Sequence, residues 1–209
     1  MAKETPNRIL DECFKLFTTR HYEQVSVKDM EDHLKLSRGV IFYHYRDKLD
    51  LFRHVIDKFV INKQRVYGKI EASEVSEDTT LREFIDIYLN GAQRMIDGLY
   101  NILNEGEETP VAKHSQDRSY LAFSLYAGYY YPKFNIALME SADFELDTWV
   151  KVITKAIERG EIKKVDPLLT GKQFQAIYAG QAFLDSFKNG FDLEEIRAQF
   201  MGLYDLIRC

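Results

Sequence analysis

The chain has 209 residues, of which 45% are hydrophobic and 29% are charged, and it contains only 4 prolines and 2 cysteines. This composition excludes a disordered protein, and so few cysteines exclude a disulfide-stabilised scaffold. The formal net charge is −5, but residues 1–60 carry 11 Lys+Arg against 10 Asp+Glu, while residues 61–209 carry 17 against 23. The acidic C-terminal part would repel nucleic acid, so any such contact is expected in the N-terminal part.

The sequence indicates neither a membrane protein nor an enzyme. The longest uncharged stretch, residues 119–132, is shorter than the ~20 apolar residues of a membrane-spanning helix. The N-terminus lacks the apolar core of a signal peptide, which favours a cytoplasmic protein. There is no Gly-rich phosphate loop, no spacing of metal ligands and no nucleophile with a recognisable partner. We therefore expect no catalysis, no cofactor and no metal site.

The first predicted helix begins at Thr5-Pro6, because Thr is a favourable cap and Pro a favourable first helical residue. Its apolar residues recur at intervals of three and four, which predicts one buried face and an end near Arg20-His21. The residues of this face are Ile9, Leu10, Cys13, Phe14 and Phe17.

Three further helix starts fall within the next 30 residues. Ser26 is followed three residues later by Asp29 in a capping-box pattern, Ser37 is a second N-cap candidate, and Asp47 is a third. The middle helix is very short and rich in hydrogen-bond donors, which is typical of a helix-turn-helix reader of DNA. The predicted helices are 27–34, 38–44 and a long one from Lys48. Ile41 and Tyr45 are expected to face inward.

After a polar stretch at 71–80, which we predict to be a loop, apolar residues again recur at helical spacing. No run of alternating β-branched residues and no internal repeat is present. The sequence therefore predicts an all-α protein with about nine helices. The later helices are predicted at 81–104, 117–130, 132 to about 142, 146–159, 167–188 and from the cap Asp192 onward, with breaks at Gly106, Pro110, Gly160 and Asn189-Gly190.

An ordered, gapless series of residues between 6 and 52 consists of Ile9-Leu10, Leu16-Phe17, Tyr22, Ser26-Val27, Asp29-Met30, Leu36-Ser37-Arg38-Gly39, Tyr43-His44-Tyr45, Lys48 and Leu51. In this series the chain resembles the tetracycline-repressor (TetR) family of transcriptional regulators. The resemblance implies an N-terminal three-helix DNA-binding domain over 1–47 and a larger helical domain for effector binding and dimerisation over 48–209.

The chain departs from the family pattern at several positions. His21 and Lys35 stand where Gly is usual, at turns in which a left-handed backbone is costly for a side chain. Val40 replaces a hydroxyl residue, and Phe42 replaces a tyrosine. Glu31 also replaces a small residue of the second helix.

The DNA-contacting residues are expected in and around the helix 38–44. Its N-terminus favours phosphate, Arg38 can donate twice to guanine, and Gly39 lets the backbone approach closely. Val40 offers only an apolar contact, for example to a thymine methyl group. The candidates are Ser26, Lys28, Ser37, Arg38, Gly39, Val40, Phe42, Tyr43, His44 and Lys48, with Lys35 as a weaker one.

An aromatic-rich stretch at 120–134 suits a mostly apolar ligand pocket with orienting hydroxyl groups, although core packing is the alternative for each single residue. The resemblance adds that family members usually bind a small molecule in the C-terminal part. No buried acid stands out as a partner for a cation, although Glu140 and Asp143 are near. The effector candidates are Tyr88, Tyr100, Tyr120, Phe123, Tyr126, Tyr130, Trp149, Phe174 and Tyr178.

The helix 167–188 is apolar on most faces, so it lies either at the centre of the fold or in a subunit interface. The resemblance favours the interface, in which the last two helices of two chains form a four-helix bundle. The interface candidates are Phe174, Ile177, Leu184, Phe187, Ile196, Phe200, Leu203 and Tyr204.

Taken together, the resemblance implies a homodimeric repressor that binds a palindromic DNA operator and is released by a small-molecule effector. The alternative is a helical protein-binding scaffold that has lost DNA recognition, because both turn glycines and the hydroxyl at position 42 are missing.

Overall fold

The computed structural model of the chain describes residues 4–62, 69–104, 113–188 and 190–209. Within these ranges the chain forms nine α-helices and no strand, apart from one isolated bridge between Ile162 and Arg208. The predicted all-α class is confirmed. The helices are α1 (Glu4–Thr19), α2 (Val27–Leu34), α3 (Arg38–His44), α4 (Lys48–Ile56), α5 (Leu81–Asn104), α6 (Lys113–Tyr130), α7 (Pro132–Glu158), α8 (Pro167–Asp185) and α9 (Leu193–Ile207).

The chain divides into two compact units. The N-terminal unit comprises Met1–Val66 and Tyr100–Leu138, and the C-terminal unit comprises Tyr67–Leu99 and Met139–Cys209. Helices α1 to α4 and α6 belong to the first unit, and helices α8 and α9 to the second. The functional division at residues 47/48 stays a prediction, because compactness does not report function. None of the described helices is both long and apolar enough to cross a membrane.

The core of the N-terminal unit is built around the apolar face of α1. Phe14 is fully buried and stacks on Phe59 with ring centroids 4.3 Å apart, and its edge meets Phe123 of α6 at 5.4 Å. Phe52 of α4 meets the same Phe123 ring at 5.5 Å. Burial also raises the pKa of the Cys13 thiol to about 12. Helix α1 therefore shares its core with the α4 segment and with α6.

Helix α4 is followed without a break by one π-helical turn, Asp57–Ile61, which reaches Asn62. The N-cap of α4 is Asp47, as predicted, and its side chain accepts a hydrogen bond from the Asp50 amide at 2.8 Å. The backbone hydrogen bond from Asp50 lowers the pKa of the Asp47 carboxyl group.

Trp149 of α7 lies at the centre of the core of the C-terminal unit. Its ring stacks on Phe174 of α8 with centroids 4.4 Å apart and meets the Phe84 ring edge-on at 4.6 Å. Phe200 of α9 closes the group at 5.7 Å from Trp149. All four side chains are fully buried, and aromatic pairs of this kind contribute about 0.5–1.5 kcal/mol beyond the area that they bury.

Helices α8 and α9 both turn an apolar face toward this core, and α8 also has exposed large apolar side chains. The prediction that Phe174, Ile196, Phe200 and Tyr204 lie in a subunit interface is wrong, because the chain's own core covers these four side chains. Of the other interface candidates, Ile177 and Leu203 are half-buried, and Leu184 and Phe187 are exposed.

Helix α7 is continuous where the sequence predicted two helices, at 132–142 and 146–159. The residues between these two ranges include no Gly or Pro, so nothing in the chain interrupts the helix. It ends at Glu158, one residue before the predicted end, and the predicted break at Gly160 has a φ of 71°. The next residue, Glu161, accepts hydrogen bonds from the Leu81 amide at 3.0 and 3.1 Å and thereby caps α5.

The remaining boundaries lie close to their predicted positions. Helix α6 begins at Lys113, four residues before the predicted start, and α8 ends at Asp185, three residues before the predicted end. The predicted breaks at Gly106, Pro110 and Asn189 lie outside the described residues.

Candidate nucleic-acid interface

Helix α2 begins in the capping box that the sequence predicts. The Ser26 hydroxyl oxygen accepts a hydrogen bond from the Asp29 amide at 3.1 Å, and the Asp29 carboxylate accepts one from the Ser26 amide at 2.7 Å. The hydroxyl also donates to this carboxylate, and Arg20 lies 3.0 Å from it. Hydrogen bonds from Ser26 lower the pKa of Asp29. Because its hydroxyl is engaged in the cap, the DNA contact of Ser26 stays a prediction.

The turn between α2 and α3 contains the left-handed backbone that the family's usual glycine would favour. Lys35 has φ 54° and ψ 39° and is the only non-glycine residue with positive φ in the described part of the chain. The amides of Lys35 and Leu36 donate to the Glu31 carbonyl and close the end of α2. His21, by contrast, is extended, with φ −63° and ψ 147°, so its turn does not require glycine.

Helix α3 begins at Arg38, as predicted, but it is capped differently. Ser37 occupies the N-cap position, yet its side chain makes no capping hydrogen bond. Instead, the Glu31 carboxylate of α2 accepts a hydrogen bond from the Arg38 amide at 2.6 Å. A negative charge at this place is favourable for the helix dipole. The prediction that the Ser37 side chain caps α3 is therefore wrong, because Glu31 supplies the acceptor.

Helix α3 directs its apolar residues into the N-terminal unit, which confirms the predicted orientation of Ile41 and Tyr45. Ile41 is fully buried, and Tyr45 is 5% exposed. The Tyr45 hydroxyl donates to the Pro6 carbonyl at 3.0 Å, which fixes α3 against α1.

The outer face of α3 consists of Arg38, Gly39, Val40 and Tyr43, all of which are exposed. Tyr43 is 85% exposed, compared with 39% for Val40. A Cβ atom added at Gly39 would come no closer than 4.0 Å to its nearest neighbour, the Ser37 hydroxyl, so internal packing does not require a glycine there. An arginine, a bare backbone and a phenol on one surface suit contacts with base edges and phosphates.

Lys48, expected to bind phosphate, already has a partner inside the protein. Its ammonium donates to the Tyr22 carbonyl at 2.5 Å and lies 4.1 Å from the centroid of the Tyr22 ring. Burial lowers the pKa of this lysine. An ammonium has three donors, so a phosphate contact would add to this bond rather than replace it. Among the other candidates, Lys28 is exposed, and Phe42 and His44 are half-buried.

The aromatic residues of α6 pack against the short segment that precedes α2. The Tyr130 ring lies 4.5 Å from the Tyr22 ring, and the Tyr126 ring lies 4.9 Å from the His21 ring. The Tyr130 hydroxyl donates to the Glu23 carboxylate, and this bond raises the pKa of Tyr130 to about 12. Together with Phe123, these effector candidates are part of the packing of the N-terminal unit, and Tyr100 and Tyr120 are half-buried in the same unit.

The other effector candidates lie in the C-terminal unit, beside an ion pair that sequence reasoning missed. The Lys69 ammonium lies 2.8 Å from the Glu145 carboxylate and donates to the Tyr88 hydroxyl at 2.6 Å. The Tyr88 hydroxyl donates to Glu145 at 2.8 Å. Burial raises the pKa of Tyr88 and lowers that of Lys69. Trp149 and Phe174 belong to the adjoining core.

Glu145 is the acid that the sequence did not single out. Glu140 and Asp143, the two named as counter-charge candidates, are both exposed. Glu145 lies four residues before Trp149, so the helical period places both on one face of α7. This spacing is the signal that could have found it. The sequence has no comparable signal for Lys69. This residue lies next to the polar stretch at 71–80, outside any apolar helical pattern that would place it near Glu145.

Comparisons with known proteins agree with this geometry. Residues 9–55 match the family model described as bacterial regulatory proteins, tetR family. Over 54 residues the chain is 33% identical to the HTH-type transcriptional regulator AcrR of Shigella flexneri, covering 26% of this chain and 25% of that protein. Over 93 residues it is 30% identical to the HTH-type transcriptional regulator SAUSA300_2515 of Staphylococcus aureus (strain USA300), covering 41% and 50%. The chain thus spans at most about half the length of these relatives.

Two solved structures share the fold over nearly the whole chain. A chain from Rhodococcus sp. assigned to the TetR family has a TM-score of 0.62 at 18% identity and covers 98% of both chains. The TetR family transcriptional regulator PfmR from Thermus thermophilus has a TM-score of 0.59 at 17% identity and covers 95% of this chain and 97% of its own. At these identities the likeness shows the fold alone.

Proposed function

We propose that the chain is a DNA-binding transcriptional regulator of the TetR type, because its residues 9–55 match the model of the tetR family of bacterial regulatory proteins. In this proposal it acts in the cytoplasm as a homodimeric repressor that leaves a palindromic operator when a small-molecule effector binds. The family consists of regulators rather than enzymes, in line with the prediction from the sequence.

The observation that carries the proposal is the outer face of α3. Arg38, Gly39, Val40 and Tyr43 are exposed on a short helix that Ile41 and Tyr45 anchor to the N-terminal unit. The glycine has no packing role inside the protein, but it permits close approach of a DNA backbone or base edge. In a helix-turn-helix protein the second helix enters the major groove in this orientation.

Support for a dimer comes from an exposed apolar face formed by the last turn of α8 and by Phe187, which lies two residues beyond the end of the helix. Phe183, Leu184 and Phe187 are 54%, 53% and 62% exposed, respectively. Exposed large apolar side chains on one helix mark interaction surfaces when they cluster. We propose that this face, rather than the buried side of α8 and α9, forms the contact with a second copy of the chain.

Support for an effector site comes from the C-terminal unit. The indole nitrogen of Trp149 is buried and has no acceptor among the described residues, and an unpaired buried donor costs about 1–3 kcal/mol. The ion pair of Lys69 and Glu145 lies beside the same aromatic core. A polar group set in an apolar surrounding is typical of ligand sites.

A gel-shift titration against the DNA upstream of the chain's own coding sequence tests the proposed function. We expect retardation at low salt that weakens as salt rises, because phosphate contacts release counterions. Absence of retardation at low salt, with a folded and dimeric chain, would contradict the proposal.

Substitution of the α3 face separates DNA binding from the scaffold alternative. Arg38→Ala and Tyr43→Ala should each weaken DNA binding, while Asp32→Ala, an exposed position on α2, serves as the matched control. If both α3 variants bind DNA as the wild type does, this face does not read DNA. The scaffold alternative predicts that result together with an unchanged protein partner.

A further inference from the structure

The ammonium group of Lys69 is enclosed by groups that typically recognise cationic ligands. It lies 3.9 Å from the centroid of the Tyr178 ring and 4.8 Å from that of the Tyr88 ring. The Glu145 carboxylate completes the enclosure at 2.8 Å. The ammonium lies over the Tyr178 ring but at the hydroxyl end of Tyr88, to which it donates at 2.6 Å. An aromatic face beside a carboxylate attracts organic ammonium ions. We name Tyr88, Glu145 and Tyr178 the cation cage.

A lysine is a costly occupant for such a cage. Its ammonium is a compact, strongly hydrated charge, and removing it from water opposes the attraction of the Tyr178 ring and of the Glu145 carboxylate. Burial lowers the pKa of Lys69, although the neighbouring Glu145 acts in the opposite direction. An organic cation that carries apolar groups around its charge loses less hydration on entering the same place.

We propose that the cation cage is a binding site for an organic ammonium ion, and that Lys69 occupies it until such a ligand displaces the lysine side chain. The proposal rests on the proposed function only in naming this ligand the effector of the regulator. The binding itself requires no DNA.

Access to the cage is compatible with displacement. The side chains of Lys69 and Glu145 are 18% and 13% exposed, respectively, so part of each side chain is in contact with solvent. Lysine has a flexible four-carbon stem, which lets the ammonium swing into solvent while the backbone stays in place. The backbone itself is held close to α5, because a Cβ at Gly91 would lie 1.9 Å from the Lys69 carbonyl oxygen.

The charge pattern favours a cation over an anion. An anionic ligand that paired with Lys69 would lie against the Glu145 carboxylate, and the Tyr88 hydroxyl donates to that carboxylate. The negative charge of such a ligand and that of the Glu145 carboxylate would repel each other. A cation meets the opposite situation, because the Glu145 carboxylate, the Tyr88 hydroxyl oxygen and the face of the Tyr178 ring already surround a positive charge.

The experiment uses Trp149, the single tryptophan of the chain, whose ring lies 5.2 Å from Tyr88. The full-length wild-type protein is titrated with choline, and the fluorescence of Trp149 is followed. The neutral isostere 3,3-dimethyl-1-butanol and sodium chloride at matched ionic strength are the controls. We expect a saturable change with choline only, and the same dissociation constant from calorimetry.

Variants test the role of each member of the cage. Lys69→Ala should bind choline at least about tenfold more tightly, because the competing side chain is gone and the competent state becomes dominant. Tyr178→Leu should bind it at least about tenfold more weakly, because the ring face nearest the cation is lost. The matched control is Lys155→Ala, which removes a lysine that pairs with Glu158 in the same unit.

The wild-type measurement decides the proposal even where a variant does not fold. If Trp149 responds equally to choline and to its neutral isostere, or to neither, the cation cage is a structural ion pair and the proposal is overturned. Because this titration contains no DNA, its failure leaves the gel-shift result standing. Conversely, failure to bind DNA would not remove a saturable response to choline.

Discussion

At the residue scale, the placement of α3 depends on two side chains that lie before it. Lys35 holds a left-handed backbone between α2 and α3, and such a conformation costs a residue with a Cβ atom about 1–2 kcal/mol. Glu31 supplies the acceptor for the Arg38 amide. The chain therefore keeps a helix-turn-helix geometry with a strained lysine and an acidic cap.

Replacing Lys35 with glycine should stabilise the N-terminal unit. The substitution removes ~1–2 kcal/mol of strain but adds chain entropy to the unfolded state, worth ~0.4–1 kcal/mol, so the net gain should be about 0.5–1 kcal/mol. Urea unfolding followed by circular dichroism measures it. Lys28→Gly, within α2, is the control and should lower stability by about 1 kcal/mol. A loss of stability in Lys35→Gly would show that the turn carries no strain.

Removing the Glu31 carboxylate should destabilise α3. Glu31→Ala leaves the Arg38 amide without its acceptor, and loss of a cap costs about 0.5–2 kcal/mol. Glu31→Gln retains an acceptor and is expected to recover most of this loss. Equal unfolding midpoints for the Ala variant and the wild type would contradict the assigned role of Glu31.

These two residues also mark the limit of prediction from the sequence at this scale. The caps at Ser26 and Asp47, which start the helices at residues 27 and 48, follow from local patterns that depend on the nearest few residues. Glu31 caps a helix seven residues away, and Lys69 and Glu145 meet across 76 positions of the chain. Such contacts depend on tertiary packing, which no local pattern encodes.

At the element scale, apolar periodicity predicted which helices exist but not which of their faces is covered. Helix α8 is apolar on most sides, and only the structure separates its buried residues, such as Phe174, from its exposed ones, such as Phe183. Likewise, the aromatic residues of α6 pack partly on Tyr22 and His21 of the N-terminal unit. Apolar periodicity predicts that a helix face is buried, but it does not predict which element covers that face.

The close packing of α5 on the Lys69 backbone gives a prediction with an internal control. Gly91→Ala should destabilise the C-terminal unit, because its Cβ would lie 1.9 Å from a backbone oxygen that cannot rotate away. The cost of such overpacking is about 1–3 kcal/mol. Thermal unfolding followed by circular dichroism measures it.

Gly98→Ala is the matched control in the same helix. Apart from the helix's own backbone and the two neighbouring residues, no atom of the described residues lies within 4 Å of its added Cβ. Alanine is favoured over glycine in a helix by about 1 kcal/mol. The control should therefore raise the unfolding temperature. If both substitutions have the same effect, the backbone of Lys69 does not rest against α5.

At the scale of the whole molecule, binding to a palindromic operator as proposed requires two copies of the chain. Phe187→Asp should convert the dimer into a monomer, because it places a charge in the proposed apolar contact of α8. Sedimentation equilibrium should give twice the chain mass of 24.5 kDa for the wild type and the single mass for the variant. Phe144→Asp, at a 52% exposed position of α7, is the control and should remain dimeric. A monomeric wild type would contradict the interface.

The most direct measurement is a hydroxyl-radical footprint of the protein on the DNA upstream of its own coding sequence. A homodimer that inserts one α3 of each copy into the major groove should protect two half-sites of opposite orientation. Their centres should lie about 34–36 Å apart or a multiple of that distance. Arg38→Ala should lose both half-sites together. A single half-site, uniform protection or an unchanged footprint in Arg38→Ala would contradict the claim that α3 is the DNA-reading helix of a homodimer.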